Sequence, residues 1–142
     1  MQRRHFILTA LLAAAVRPGP ARAGEGGMID YDDSDPISRA LAEGRTVLVD
    51  YYADWCSTCA AQERVIAALR AENPAYDENI VFVRVDWDVY ADAPVTTSRN
   101  IPRRSTLIVL KGGQELGRVV AGTSRAAIKA LLDGALQAAT AS

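Results

Sequence analysis

Two thiols, Cys56 and Cys59, are the only cysteines in the 142-residue chain, and they stand three positions apart in Trp55-Cys56-Ser57-Thr58-Cys59. Residues three apart on a helix lie one turn apart on one face. Two sulfurs at this spacing can therefore close a disulfide, exchange it with another, or share a metal. As a structural staple the pair is weak, because a loop of four residues contributes only about 2 kcal/mol of chain-entropy stabilisation. As a metal site it is incomplete: zinc takes four ligands, so carboxylates or a second protomer would have to complete the set. Redox exchange is the use for which the context supplies a mechanism. An apolar strand runs directly into the pair and a helix follows, which sets the first sulfur over unpaired N–H groups at the positive helix end. Free cysteine titrates near pH 8.5, and this placement lowers it by about a unit or more, marking Cys56 as the nucleophile and Cys59 as the resolving thiol.

The elements that must position these sulfurs can be read on either side of them. Thr46 to Ala53 is β-branched, aliphatic and aromatic without polar alternation, as in a central parallel strand covered on both faces. Ala60 to Glu72 is rich in helix formers, with Val65, Ile66 and Leu69 at helical spacing and Asn73-Pro74 as a stop. Ile80 to Asp86 is a second buried strand, and Thr106 to Leu110 a third. The segment 88–100 allows at most a short helix, since Pro94 and Thr96-Thr97-Ser98 disfavour a long one. Lys111-Gly112-Gly113-Gln114 reads as a hairpin turn into a fourth strand near Leu116 to Ala121. Before all of these, Asp35-Pro36 starts a short helix that ends near Gly44, with Ile37, Ala40 and Leu41 on one face. Ser124 caps a last helix whose Ile128, Leu131, Leu132 and Leu136 share a face. Residues 24–34, glycine-rich and acidic, read as a flexible arm. This order predicts a layered α/β domain with helices on both faces of one sheet.

The N-terminal residues have a different composition. Arg3-Arg4 precede an 11-residue apolar stretch, Phe6 to Val16, and Ala21-Arg22-Ala23 follows Pro18 and Pro20. A membrane-spanning helix needs about 20 apolar residues, so the segment reads as a signal peptide cleaved after Ala23, which implies export to the periplasm. Arg3-Arg4-His5-Phe6-Ile7 also resembles a twin-arginine signal. The segment holds four of the 16 basic residues, no acidic residue and the only histidine, His5. Its removal leaves 12 basic against 17 acidic residues, a net charge of −5. Such a chain has no general basic field for nucleic acid, and without imidazole it has no Cys-His or Ser-His catalysis. No internal repeat or low-complexity run breaks the single domain.

From about Asp35 to Ala138 the chain resembles the thioredoxin family. Val47 to Cys59 is similar to the active-site region of that family, and Tyr52-Ala53-Asp54-Trp55-Cys56 resembles exported reductase domains fed by membrane electron carriers. Val85-Asp86-Trp87-Asp88, Thr106-Leu107 and Lys111-Gly112-Gly113-Gln114-Glu115 match later family segments in order. The resemblance implies a thioredoxin fold over residues 35–142, a central mixed sheet flanked by helices. Asp50 stands in a strand that reads as buried, where a carboxylate is costly and its pKa rises; the resemblance makes it the proton acceptor for Cys59. It also gives Trp55 a part in shaping the surface around the sulfurs, and makes Arg84 a charge partner of the buried region. Trp55, Arg104, Ser105 and Thr106 are the residues expected to meet substrate.

One position departs from the family. A cis-proline usually stands directly before the Thr-Leu pair, and here that residue is Ser105. A cis bond before serine costs about 2.5–4 kcal/mol, so a trans peptide is expected. Using Pro102 instead would begin the strand with Arg103-Arg104-Ser105, placing charges where apolar residues belong. Positive charge on Arg104 would further favour a Cys56 thiolate. The implied function is thiol-disulfide exchange on protein substrates by a monomer without cofactor, metal or nucleic acid. Ser57-Thr58 supply only hydroxyls between the cysteines, which points toward reduction, fed by a membrane electron donor. The alternatives are a metal or iron-sulfur carrier, a disulfide oxidant or isomerase, and an adaptor that only binds.

Overall fold

The computed structural model describes residues 27–141; the expected signal peptide lies outside them. In chain order the elements are β1 (Ile29–Asp30), α1 (Pro36–Ala42), β2 (Thr46–Tyr52), α2 (Ser57–Glu72), α3 (Ala75–Asn79) and β3 (Ile80–Asp86). There follow α4 (Trp87–Tyr90), α5 (Pro94–Thr97), β4 (Thr106–Lys111), β5 (Gln114–Val120) and α6 (Arg125–Thr140). The five strands form one mixed sheet in the order β1-β3-β2-β4-β5, with β1, β3 and β2 parallel and β4 and β5 antiparallel to their neighbours.

Strand β2 lies at the centre, and all seven of its residues are buried, as a run without polar alternation predicts, Asp50 included. Alternation then divides the core. Val47, Val49 and Tyr51 join Val81, Val83, Val85, Ile108 and Leu110 under α1 and α5. Leu48 joins Ile80, Phe82, Leu107 and Val109 under α2, α3 and α6. Asp35 caps α1 by accepting from the Ser38 N–H, with Pro36 in the first turn, and Ser124 caps α6 through the Ala127 N–H.

Three expectations need correction. The arm 24–34 is not wholly unpaired: Ile29 and Asp30 pair in parallel with Val83 and Arg84, and Asp32 turns the chain by accepting from Ser34. Two residues are too few to show a period, so only the edge of β3 reveals this strand. Asn73-Pro74 ends α2 but also begins α3, since proline is tolerated at a helix start. In the segment 88–100 there are two single turns rather than one, α4 beginning at Trp87 and α5 at Pro94.

Candidate active site

Strand β2 delivers the chain to Ala53, and α2 starts at Ser57, three residues earlier than its apolar spacing indicated. Cys56 is the N-cap of α2, in extended conformation, and its Sγ accepts the Cys59 N–H at 3.1 Å. Cys59 lies one turn on, and the two sulfurs form a disulfide with Cα atoms 5.3 Å apart. Both cysteines are buried, packed with Tyr52, Ala53 and Trp87. The helix end and the donated N–H both favour negative charge on Cys56 Sγ.

Ser105 lies against the pair, fully buried, with Oγ 3.1 Å from each sulfur. No peptide bond among the described residues is cis, as expected for this position, and Ser105 adopts φ 63°, a left-handed backbone that side chains rarely take. Its N–H donates to the Tyr51 carbonyl at 2.7 Å, and its carbonyl accepts from the Ala121 N–H at 2.8 Å. Gln62 of α2 donates from Nε2 to the carbonyls of Ser105, at 3.0 Å, and Gly122, at 2.9 Å.

Trp55 is 60% exposed beside the cysteines. Its indole N–H donates to the Asp88 carboxylate at 2.9 and 3.1 Å, and the Arg104 guanidinium lies 4.2 Å over its ring, a cation–π contact. Thr106 opens β4, buried, with its hydroxyl donating to the Arg103 carbonyl at 2.7 Å. Arg104 and Ser105 therefore lead directly into the strand that pairs with β2.

Asp50 shares its face of β2 with Leu48 and Tyr52, the face α2 covers. It is fully buried and neither carboxyl oxygen has a hydrogen-bond partner. Burial pushes its pKa up to about 8, Glu63 adds to the rise, and Arg84 opposes it. Arg84 stands in register with Asp50, but it pairs with Asp30 at 2.5 Å and lies over the Tyr52 ring at 4.7 Å. Its charge is thus largely committed elsewhere. Among the described residues no three or more Cys, His, Asp or Glu side chains converge as a metal site.

These observations match known proteins in a consistent way. The family model "Thioredoxin" matches residues 33–134. This chain belongs to the thioredoxin family. A thioredoxin of Echinococcus granulosus is 32% identical over 100 residues, covering 70% of this chain and 87% of the relative. The thiol:disulfide interchange protein TxlA of Synechococcus elongatus is 29% identical over 134 residues, covering 94% of this chain and 68% of that protein. The crystal structure of Trxlp from Edwardsiella tarda superposes with TM-score 0.63 at 35% identity, covering 74% of this chain and 98% of that one. The fold is the thioredoxin fold, and as a family member the protein is a thiol-disulfide oxidoreductase acting on protein disulfides through Cys56 and Cys59.

Of the residues expected at the site, the structure brings Ser105 against Cys56 and Cys59, sets Arg104 over Trp55 beside them, and buries Asp50 and Thr106 in the adjoining strands; two further residues of this region were not singled out in the sequence. Asp88 orients the indole, and although it stands in the segment Val85-Asp86-Trp87-Asp88, nothing local ties it to Trp55. Gln62 had a signal: it lies four and seven positions before Ile66 and Leu69, so an amide stands on the buried stripe of α2.

Proposed function

We propose that this thioredoxin is an exported, monomeric reductant of protein disulfides, released from its signal peptide after Ala23 and recharged by a membrane electron donor. The observation that carries the direction is the pair itself: Cys56 Sγ accepts the Cys59 N–H at the head of the 16-residue α2, while Ser57 and Thr58 between the sulfurs add no cation. A thiolate favoured by the helix end, with no cation between the sulfurs, is active without the further stabilisation that makes a reduced protein a strong oxidant. Export is supported by the composition of residues 1–23, and the membrane donor by the oxidising compartment that export implies. The sulfur site is complete within one chain, which fits a monomer.

The Cys56 thiolate attacks one sulfur of a substrate disulfide, forming a mixed disulfide and releasing the other as a thiolate. Asp50, buried on the face of β2 that α2 covers, takes the Cys59 proton. The Cys59 thiolate attacks Cys56 Sγ, closing the Cys56–Cys59 disulfide and releasing the second substrate thiolate. The substrate gains two electrons, and the protein loses two. Trp55, oriented by Asp88 and covered by Arg104, offers the exposed surface on which the substrate chain docks, while Ser105 and Thr106, expected to meet substrate, are fully buried and act from behind it.

The deciding measurement is the reduction potential of the pair by equilibration with glutathione. A value near thioredoxin's, about −270 mV, together with insulin reduction in dithiothreitol, supports the reductant; a value near −120 mV makes it an oxidant and overturns the reading.

A further inference from the structure

Ser105 Oγ is equidistant, at 3.1 Å, from both sulfurs. The sulfurs of a disulfide carry no hydrogen, so the hydroxyl is the donor in this state. A disulfide sulfur is a poor acceptor and a thiolate a strong one, so the contact strengthens when the pair is reduced and charge appears. A hydroxyl rotates about its C–O bond, and this one can turn from one sulfur to the other without moving its oxygen.

Everything else about Ser105 holds that oxygen still. Its N–H is bound to Tyr51 on β2, its carbonyl to Ala121 and Gln62, and its side chain is buried. The backbone stays at φ 63° only because these bonds hold it, the pattern of strain retained at working sites. Gln62 supplies the link to the cysteines. Its Nε2 uses both hydrogens on the carbonyls of Ser105 and Gly122, while Oε1 is buried with no partner. The reversed amide would face an oxygen toward two carbonyls, so this orientation is the one that satisfies Nε2. The helix that carries Cys56 and Cys59 thus also sets the height of the hydroxyl above them.

We propose that the Ser105 hydroxyl is a catalytic hydrogen-bond donor that stabilises the Cys56 thiolate and turns to Cys59 as the charge moves there, with Gln62 as its positioning residue. The proposal rests on thiol exchange at the Cys56–Cys59 pair and not on its direction. No proton leaves Ser105. The first bond formed is Cys56 sulfur to substrate sulfur, and the charge appears on the released substrate thiolate. Cys59 then loses its proton and the hydroxyl turns to the Cys59 thiolate; that thiolate bonds to Cys56 sulfur, the bond from Cys56 to the substrate breaks, and the second substrate sulfur leaves as a thiolate.

The test uses the full exported chain with Ser105→Ala and Ser105→Gly, measuring thiolate absorbance and iodoacetamide alkylation against pH, and the glutathione equilibrium. Both variants are expected to raise the Cys56 pKa by about one unit. Both should also shift the equilibrium about tenfold toward the disulfide, close to 30 mV more negative. Glycine relieves the φ of this position and alanine does not, so a shift common to both belongs to the lost hydroxyl and not to the backbone. Gln62→Met should move the pKa in the same direction by less, and in the Ser105→Ala background by nothing further. An unchanged pKa and potential in folded Ser105→Gly overturns the proposal. So does a Gln62→Met shift that adds fully to that of Ser105→Ala. Neither readout involves a protein substrate, so a failure to reduce insulin refutes the proposed reductant and leaves this test standing.

Discussion

Asp50 is the residue that the fold tolerates least and the proposed chemistry needs. Its carboxyl is wholly buried without a hydrogen bond, and burial lifts its pKa from 3.8 to about 8. The sign of the linkage follows. Below the unfolded value both states are neutral; between 3.8 and about 8 the unfolded chain ionises while the folded one does not, so stability declines with rising pH and levels off above. The loss at pH 7 is on the order of 4 kcal/mol. Asp50→Asn removes the ionisation, so its urea midpoint should exceed that of wild type by a margin that widens from pH 5 to pH 8. A constant margin would show that Asp50 is already ionised in the folded protein. The same variant should slow the resolution of a trapped mixed disulfide at pH 7 by about 100-fold, read by stopped-flow, because the minor carboxylate fraction present just below a pKa of about 8 is the base for Cys59.

At the scale of elements, α2 does more than present a positive helix end to a sulfur. One helix supplies the N-cap sulfur, the second sulfur a turn later, and the amide of Gln62, and its far end packs Ile66 and Leu69 into the core. Helix α3 anchors that far end. Tyr76 is almost wholly buried among Leu48, Ile66 and Leu69, and its hydroxyl donates to Asp133 on α6. Tyr76→Phe keeps the ring and loses the bond, an expected cost of about 1 kcal/mol. Tyr76→Ala empties the site, at about 3–5 kcal/mol. Chemical denaturation measures both. The phenylalanine variant should reduce insulin at the wild-type rate, because no part of Tyr76 reaches the sulfurs; a change in that rate would show that α3 governs the site.

For the whole molecule, the separation of charge between the N-terminal segment and the rest makes a prediction of its own. With residues 1–23 attached the chain is close to neutral, and without them it carries −5. Expressed from its full sequence in a Gram-negative bacterium, the protein should appear in the periplasmic fraction with Gly24 as its first residue, read by mass spectrometry. Intact Met1 in the cytoplasm would overturn the proposed export. Replacing both Arg3 and Arg4 by lysine should block export if the twin-arginine route is used, and leave it if the general route is.

The sequence by itself determined the parts that depend on local periodicity and on residue type. Strands β2, β3 and β4 are largely apolar runs without polar alternation, which no surface segment could carry, and Ile128, Leu131 and Leu132 leave α6 one way to face. The cysteine pair at a strand-helix junction was legible for the same reason, since spacing and helix direction are local. Tertiary structure decided what depends on two distant segments meeting. Strand β1 exists because β3 has a free edge, and the indole of Trp55 is held by Asp88, 33 residues away. Ser105 could be read as a departure from a pattern, but not as an oxygen poised between two sulfurs. That arrangement requires hydrogen bonds from β2, from α2 and from the chain beyond β5, and no local pattern records where those three come together.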